Sequence, residues 1–329
     1  MTFDFSKYED ELLFVPLGGS NEIGMNLNLY TIGGKWLMVD CGIGFANDYL
    51  PGVEVVVPDI SFIVERKEDL LGLVLTHAHE DHLGAVPYLW RDLECPIYAT
   101  PFTACFLKHK LNEMGPGKKP QVHEVKVGGS FEIGPFSLEM LELTHSIPEM
   151  QAVAIKTAAG TVMHTGDWKF DANPLIGPVS DYEGLKKYGD GSVLAMVCDS
   201  TNVFVEGESG SEGEVQKHLS QVISECKQRV VVTTFASNLA RVATIIKAAH
   251  DAGRMVALAG RSLYRVIDAA QQSGYLSRDM DFIDEKEIMN IPRQDILILC
   301  TGCQGEPRAA LTRMAKGEHP NARLLPGDT

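Results

Sequence analysis

The chain has 329 residues, 45% of them hydrophobic and 22% charged, with a formal net charge of −15. That is enough for about two globular domains with a sizeable core. No apolar run approaches the roughly 18 residues of a membrane span, and Met1-Thr2-Phe3-Asp4-Phe5 has neither the basic nor the apolar region of a signal peptide.

The first half reads as short strands. Leu12–Leu17 runs into Gly18-Gly19, and Asn26–Tyr30 and Trp36–Val39 flank a Gly33-Gly34 turn. Leu71–Leu75 is an apolar strand ending at Thr76-His77, with a helix over Gly84–Arg91 behind it. Phe131–Leu143 divides into two strands at Gly134-Pro135 and ends at Thr144-His145. Val153–Thr157 and Thr161–His164 flank a further turn, and Val193–Cys198 is predicted to be a buried strand. A His or Asp stands just beyond each of several strands: Asp40, His77, His145, Asp167 and Asp199. Strand ends are where rigid scaffolds present ligands and catalytic groups.

The texture changes after about Asn202, which predicts one domain over residues 1–205 and a second over 206–329. Glu206–Glu214 reads as a loop, with a capping box at Ser211-Glu212-Gly213-Glu214. The helix behind it carries Val215, Leu219, Val222, Ile223 and Cys226 on one stripe. Strands at Val230–Thr234, Met255–Ala259 and Ile296–Cys300 alternate with helices from near Asn238, over Ser262–Gln272 and from near Pro307. This alternation implies a parallel sheet whose ligand-facing loops follow its strands. They are Phe235–Asn238, Gly260–Ser262 and Thr301–Pro307.

Charge and cysteine usage narrow the reading further. A net charge of −15 counts against nucleic-acid binding as an average property. Lys227, Arg229, Arg241, Lys247, Arg254, Arg261 and Arg265 nevertheless form a basic segment with Asp251 as its acid. Such a segment either tracks phosphates or is a set of solvated helix faces. The seven cysteines are scattered, which fits a reducing cytoplasm rather than a disulfide framework. Cys300 and Cys303 have half the spacing of a zinc site but no second pair, so they read as unrelated thiols.

The strongest signal is Thr76-His77-Ala78-His79-Glu80-Asp81-His82, directly after an apolar strand. Imidazole and carboxylate are the donors that suit zinc or manganese. Two adjacent cations need more ligands than one motif holds, and His145 and Asp167 are the downstream candidates. A carboxylate such as Asp167 is a natural bridge. His109, His123, His218, His250 and His319 read as ordinary histidines.

The set Asp40, His77-x-His79-x-Asp81-His82, His145 and Asp167 resembles the metallo-β-lactamase superfamily. Gly18–Asn26, Thr144–Pro148, His164–Asp171, Cys198–Asn202, Thr234–Asn238 and Thr301–Pro307 resemble, more narrowly, the ribonuclease J family of β-CASP nucleases. The resemblance implies an α/β fold: an αββα metallo-β-lactamase sandwich with a parallel α/β β-CASP domain. It implies two divalent cations, zinc first, with manganese or magnesium as alternatives. His77, His79 and His145 would hold one and Asp81 and His82 the other, with Asp167 between them and Asp40 orienting the cluster. Asp81, His82 and Asp199 are the expected catalytic residues, and the reaction is RNA hydrolysis by a hydroxide held between the two metals. Ser237, Asn238, Arg241, Arg261, Gln304 and Glu306 would face RNA. The implied protein is a cytoplasmic homo-oligomer with 5′-to-3′ exonuclease and endonuclease activity on single-stranded RNA carrying a 5′-monophosphate.

Three features depart from that pattern. Ala240 stands where a larger side chain is expected before Arg241, and Cys303 where a serine is expected. The pattern also continues past Pro326-Gly327-Asp328-Thr329 to a Gly-His motif, a later histidine on the second metal and a C-terminal domain. The 329-residue chain alone is therefore expected to bind the second metal poorly and to be a weak or inactive nuclease. Two other readings stay open: a small-molecule hydrolase of the same fold, and a non-catalytic RNA-binding subunit. The first would have no need of residues 206–329.

Overall fold

The computed structural model describes residues 4–46, 50–115 and 117–329; Met1–Phe3, part of the segment read as lacking a signal peptide, lie outside them. The chain divides into two compact units. One comprises Met1–His145, Glu149–Phe170 and Ser180–Gly207; the other comprises Ser146–Pro148, Asp171–Val179 and Glu208–Thr329.

The first unit is built on two sheets. Strands Leu13–Gly18, Leu27–Ile32, Lys35–Val39, Leu70–Val74, Ile97–Ala99 and Val122–Glu124 form one, side by side in chain order. The first three pair antiparallel, the second and third of them through the predicted Gly33-Gly34 turn, where both glycines adopt positive φ (58° and 70°), as a two-residue hairpin loop requires. The later strands add in parallel. The second sheet runs Ser130–Ile133, Phe136–Glu142, Gln151–Thr157, Gly160–His164 and Val193–Val197. Its alternate residues Phe136, Leu138 and Met140, with Val153 and Ile155, meet Tyr30, Leu37, Val39 and Val74 of the first sheet in one core. The helix Pro101–Glu113 packs on Ile97–Ala99 and Val122–Glu124. Leu185 of the helix Tyr182–Lys186 packs on a separate cluster of the second sheet, Leu141, Leu143, Ala152, Ala154 and Met163. This is the αββα layering of a metallo-β-lactamase sandwich.

Val193–Val197 corrects one expectation. It is a strand, but it pairs with Gly160–His164 at the end of its sheet, and Leu194 and Met196 are 64% and 63% exposed. A short apolar run does not distinguish a covered central strand from an edge strand.

The second unit is a three-stranded parallel sheet in the order Val230–Thr233, Ile296–Cys300, Met255–Ala259. Helix Leu239–Asp251 buries Val242, Ile245, Ile246 and Ala249, the face its 3.6-residue period predicts. Helix Glu212–Glu225 starts at Ser211, whose side chain accepts the Gly213 N–H. Its buried stripe runs through Ile223, so Val222, one position round, is 55% exposed. The last helix is Ala310–Ala315 and starts later than Pro307. The preceding loop folds back on Thr301, whose carbonyl accepts the Leu311 N–H.

The basic segment is not one surface. Arg229 and Arg254 are buried, donating to the carbonyls of Arg323 and of Gln228 and Cys226. Lys247 pairs with Asp251 and Arg241 with Glu212. Cys300 is buried, Cys303 is exposed, and all seven cysteines are free thiols. Among the described residues no helix is long and apolar enough to cross a membrane.

Candidate metal centre

The strand ends of the first unit bring the predicted ligands together. His77 follows strand Leu70–Val74, and His79–His82 lie in the turn opening the short helix Glu80–Leu83. His145 follows Phe136–Glu142, and Asp167 follows Gly160–His164. Gly166, at φ 55°, turns the chain between His164 and Asp167, and a Cβ there would lie 2.5 Å from Met150 Cε. Gly42 admits the histidine turn: a Cβ at that position would fall 1.6 Å from the Asp81 carbonyl oxygen.

Among the described residues two ligand groups form, each with its donor atoms within 4.8 Å of one another: His77, His79, His145 and Asp167, and Asp81, His82 and Asp167. Asp167 belongs to both. His79 Nδ1 lies 3.1 Å from His77 Nε2 and 3.1 Å from His145 Nε2. His82 Nε2 lies 3.2 Å from Asp167 Oδ1 and 3.6 Å from Asp81 Oδ2. The cluster is closed beneath and open on one side: His77 is fully buried, while the side chains of His145, Asp167 and Asp81 keep 19%, 29% and 31% of their exposure.

Asp40 lies behind the ligands, fully buried at a φ of 62°, a conformation uncommon among non-glycine residues that aspartate adopts more readily than most and that surrounding contacts can hold. Those contacts are present. Its carboxylate accepts the Thr76 N–H at 2.8 Å and the Thr76 hydroxyl, and lies 2.7 Å from His82 Nδ1. With Nδ1–H directed at Asp40, His82 turns Nε2 toward Asp81 and Asp167. Asn26 holds the turn from the other side, its backbone N–H and side-chain amide both donating to the Asp81 carbonyl.

Electrostatics separate the imidazoles. His77 and His79 are pushed well below the ordinary imidazole range, by burial first and then by the rings around them. Burial takes His145 down to about 4. Burial also works against a proton on His82, but Asp40 and Asp167 outweigh it and hold this ring well above the usual range. Burial raises Asp81. It opposes charge on Asp167 too, but the hydrogen bond and charge of His82 prevail and keep that carboxyl below its ordinary range.

This donor set fits a cation. A neutral imidazole has one N–H and one lone pair, so His79 Nδ1 cannot satisfy both facing nitrogens by donating a single proton. Three lone pairs converging on one cation remove the conflict, and the 3.1 Å separations approach the roughly 3.3 Å edge of a tetrahedral zinc site with Zn–N bonds of about 2.0 Å.

Other predicted residues lie elsewhere. Asp199 is in neither ligand group; its N–H donates to Thr165 Oγ1, its carboxylate accepts the Thr201 N–H, and its charge acts on His145. In the second unit, Asn238 caps its helix by accepting the Arg241 N–H, and the Arg241 guanidinium makes two 3.0 Å hydrogen bonds to Glu212. Ser237 is partly exposed, and Arg261, Gln304 and Glu306 are exposed, with Glu306 accepting the Gln304 N–H. Ala240 is buried in its helix. Sequence reasoning missed Thr76, Asn26 and the Tyr30 hydroxyl 2.9 Å from His164 Nδ1. Thr76 and Asn26 lay inside quoted motifs; nothing local marked Tyr30.

Residues 26–196 match the metallo-beta-lactamase superfamily model, and residues 227–329 match the model for the ribonuclease J beta-CASP domain. The proteins named ribonuclease J from Sinorhizobium meliloti, Mycolicibacterium smegmatis and Thermus thermophilus are 45%, 42% and 36% identical to 98%, 96% and 98% of this chain. The chain spans 58%, 57% and 57% of their respective lengths. A crystal structure of a protein of unknown function from Enterococcus faecalis V583 shares the fold, with a TM-score of 0.62 at 15% identity, over 88% of this chain and 77% of that one. The chain belongs to the metallo-β-lactamase superfamily and, within it, to the ribonuclease J branch that carries a β-CASP domain.

Proposed function

We propose that the chain is the core of a metal-dependent ribonuclease that hydrolyses phosphodiesters of single-stranded RNA. The observation that carries this reading is one carboxylate, Asp167, common to two ligand groups on one face of a rigid sandwich. His77, His79 and His145 would hold one divalent cation and Asp81 and His82 the other, with Asp167 shared; zinc suits these donors best, and manganese or magnesium is the alternative. Such a pair supplies charge neutralisation at the phosphoryl oxygens and a water acidic enough to attack at neutral pH.

The residues divide the remaining work. Depressed basicity keeps His77, His79 and His145 unprotonated, so their lone pairs stay available. Asp40 fixes the His82 ring, and through it the position of Nε2. Asp81, on the open side, orients the attacking water. Ser237, Arg261 and Gln304 are the proposed RNA-backbone contacts, with 5′-to-3′ exonuclease and endonuclease action and a preference for a 5′-monophosphate. The family relationship and the βαβ unit favour this reading over a small-molecule hydrolase.

Metal stoichiometry and cleavage of 5′-labelled single-stranded RNA test the proposal. Purified protein should carry divalent metal, a chelator should stop cleavage, and Asp167→Ala should lower both metal content and rate, the rate by at least about 100-fold. Cleavage undiminished in a metal-free Asp167→Ala protein would overturn the assignment.

A further inference from the structure

The helix Pro101–Glu113 touches two of the three loops that carry the candidate ligands, and neither contact belongs to the ligand set itself. At its N-terminus Pro101 has no N–H, and the Thr100 side chain caps nothing, donating instead to the Thr103 hydroxyl. The first backbone donor, Phe102 N–H, is taken at 2.8 Å by the carboxylate of Glu149, four residues after His145. A carboxylate at a helix N-terminus is favoured both as acceptor and by the helix dipole. Glu149 is buried at 6% exposure and holds a left-handed φ of 59°. That conformation is strained for a non-glycine residue unless surrounding contacts compensate. The same stretch is closed at its base, where the Leu143 N–H donates to the Met150 carbonyl.

Eight residues along the helix, about 12 Å at 1.5 Å per residue, Lys110 Nζ lies 2.6 Å from both carboxylate oxygens of Glu80. The Lys110 side chain is 13% exposed, so this ion pair is partly desolvated. Glu80 stands between His79 and Asp81 in the histidine turn. One rigid element is therefore fastened to the His145 strand end at one point and to the His77–His82 turn at another.

We propose that the helix Pro101–Glu113 is a strut that sets His145 in register with His77 and His79, with Glu149 and Lys110 as positioning residues for the metal ligands. The inference rests on the metal reading above. A rigid helix held at two points fixes the distance between two loops that the sheet alone anchors only at their bases. Ligand atoms that must converge to within a few tenths of an ångström need that second anchor. The Glu149 end has the greater leverage: the His145 loop is otherwise held at Thr144, by Ser180 and Lys169, whereas the histidine turn is held on two sides, by Asp40 and Asn26.

The experiment measures zinc affinity by chelator competition, the visible spectrum of the cobalt-substituted protein, and thermal unfolding of the apoprotein. The unmodified chain is compared with Glu149→Ala, Glu149→Gln, Lys110→Met and the Glu149→Ala/Lys110→Met double variant. Glu149→Ala should weaken zinc about 10- to 100-fold, the range for groups that orient metal ligands, and change the cobalt spectrum. Glu149→Gln keeps an oxygen that accepts the Phe102 N–H and should stay within a few-fold of the unmodified chain. Lys110→Met should lose less, and the double variant should lose less than the product of the two single losses, because releasing one end already frees the strut. Should Glu149→Ala fail to fold, a soluble Lys110→Met variant with unchanged zinc affinity and spectrum overturns the proposal. So does a folded Glu149→Ala protein with unchanged affinity and spectrum, however much its unfolding temperature falls. An unmodified chain that binds no zinc or cobalt overturns the metal reading, and the strut with it.

Discussion

The two units use similar-looking sequence blocks in opposite ways. In the first, polar residues at strand ends turn toward one another: His77, His79, His145 and Asp167 converge within 4.8 Å, and Asp40 and Thr76 exist in the core to orient them. In the second, polar residues at strand ends mostly turn back on their own unit. Asn238 caps its helix, Arg241 is paired with Glu212, and Glu306 accepts from Gln304. The difference teaches that a motif at a strand end marks either a converging site or a local stop signal. What separates them is whether the groups compensate each other's burial or leave it unresolved. Facing imidazole nitrogens leave a conflict that a cation resolves; a capped helix and a two-pronged ion pair leave none.

The strongest way to break this contrast is at Asp40. Asp40→Ala removes the partner of His82 and two hydrogen bonds from Thr76 in a fully buried setting. Loss of one partner of a buried charged pair costs about 3–5 kcal/mol. Chemical denaturation should show that loss together with weaker metal binding. A stable Asp40→Ala protein with undiminished metal affinity would mean that the buried network does not orient the cluster.

The second unit should behave differently. Arg241→Ala and Glu212→Ala should each destabilise the chain by about 1 kcal/mol, since the pair is only partly exposed and doubly hydrogen-bonded. The double variant should lose little more than either single one, and metal affinity should not move. Additive losses, or RNA affinity falling with Arg241→Ala while stability holds, would show that Arg241 faces a ligand rather than Glu212.

The smallest effect sharpens the electrostatics of the first unit. Burial raises the Glu142 carboxyl to about 7, with help from the charges of Glu149 and Asp181. A carboxyl whose folded pKa is raised contributes stability while protonated and loses it as pH climbs from the ordinary carboxylate range through about 7. Glu142→Gln should therefore be neutral near pH 5 and raise the unfolding temperature by a few degrees near pH 8. Equal shifts at both pH values would show that packing rather than ionisation is responsible.

Much of the site was legible in the chain. Short apolar runs bounded by turn signals predicted strands that the structure contains, and His77, His79, Asp81, His82, His145 and Asp167 were singled out by residue type and by their place beyond strands. The helix Leu239–Asp251 and the Gly33-Gly34 hairpin followed from local pattern in the same way. These features are local: propensity, alternation and turn chemistry act over a few residues, so the sequence by itself determines them. Tertiary structure alone decided the rest. It set Asp40 against His82 across 42 positions and Tyr30 against His164 across 134, and left Leu194 and Met196 uncovered on an edge strand. It also buried Arg229 and Arg254, which in the sequence looked like part of a charged surface. The physical reason is common to all four. Burial and pairing depend on which distant segments pack together, and no local spacing encodes that choice.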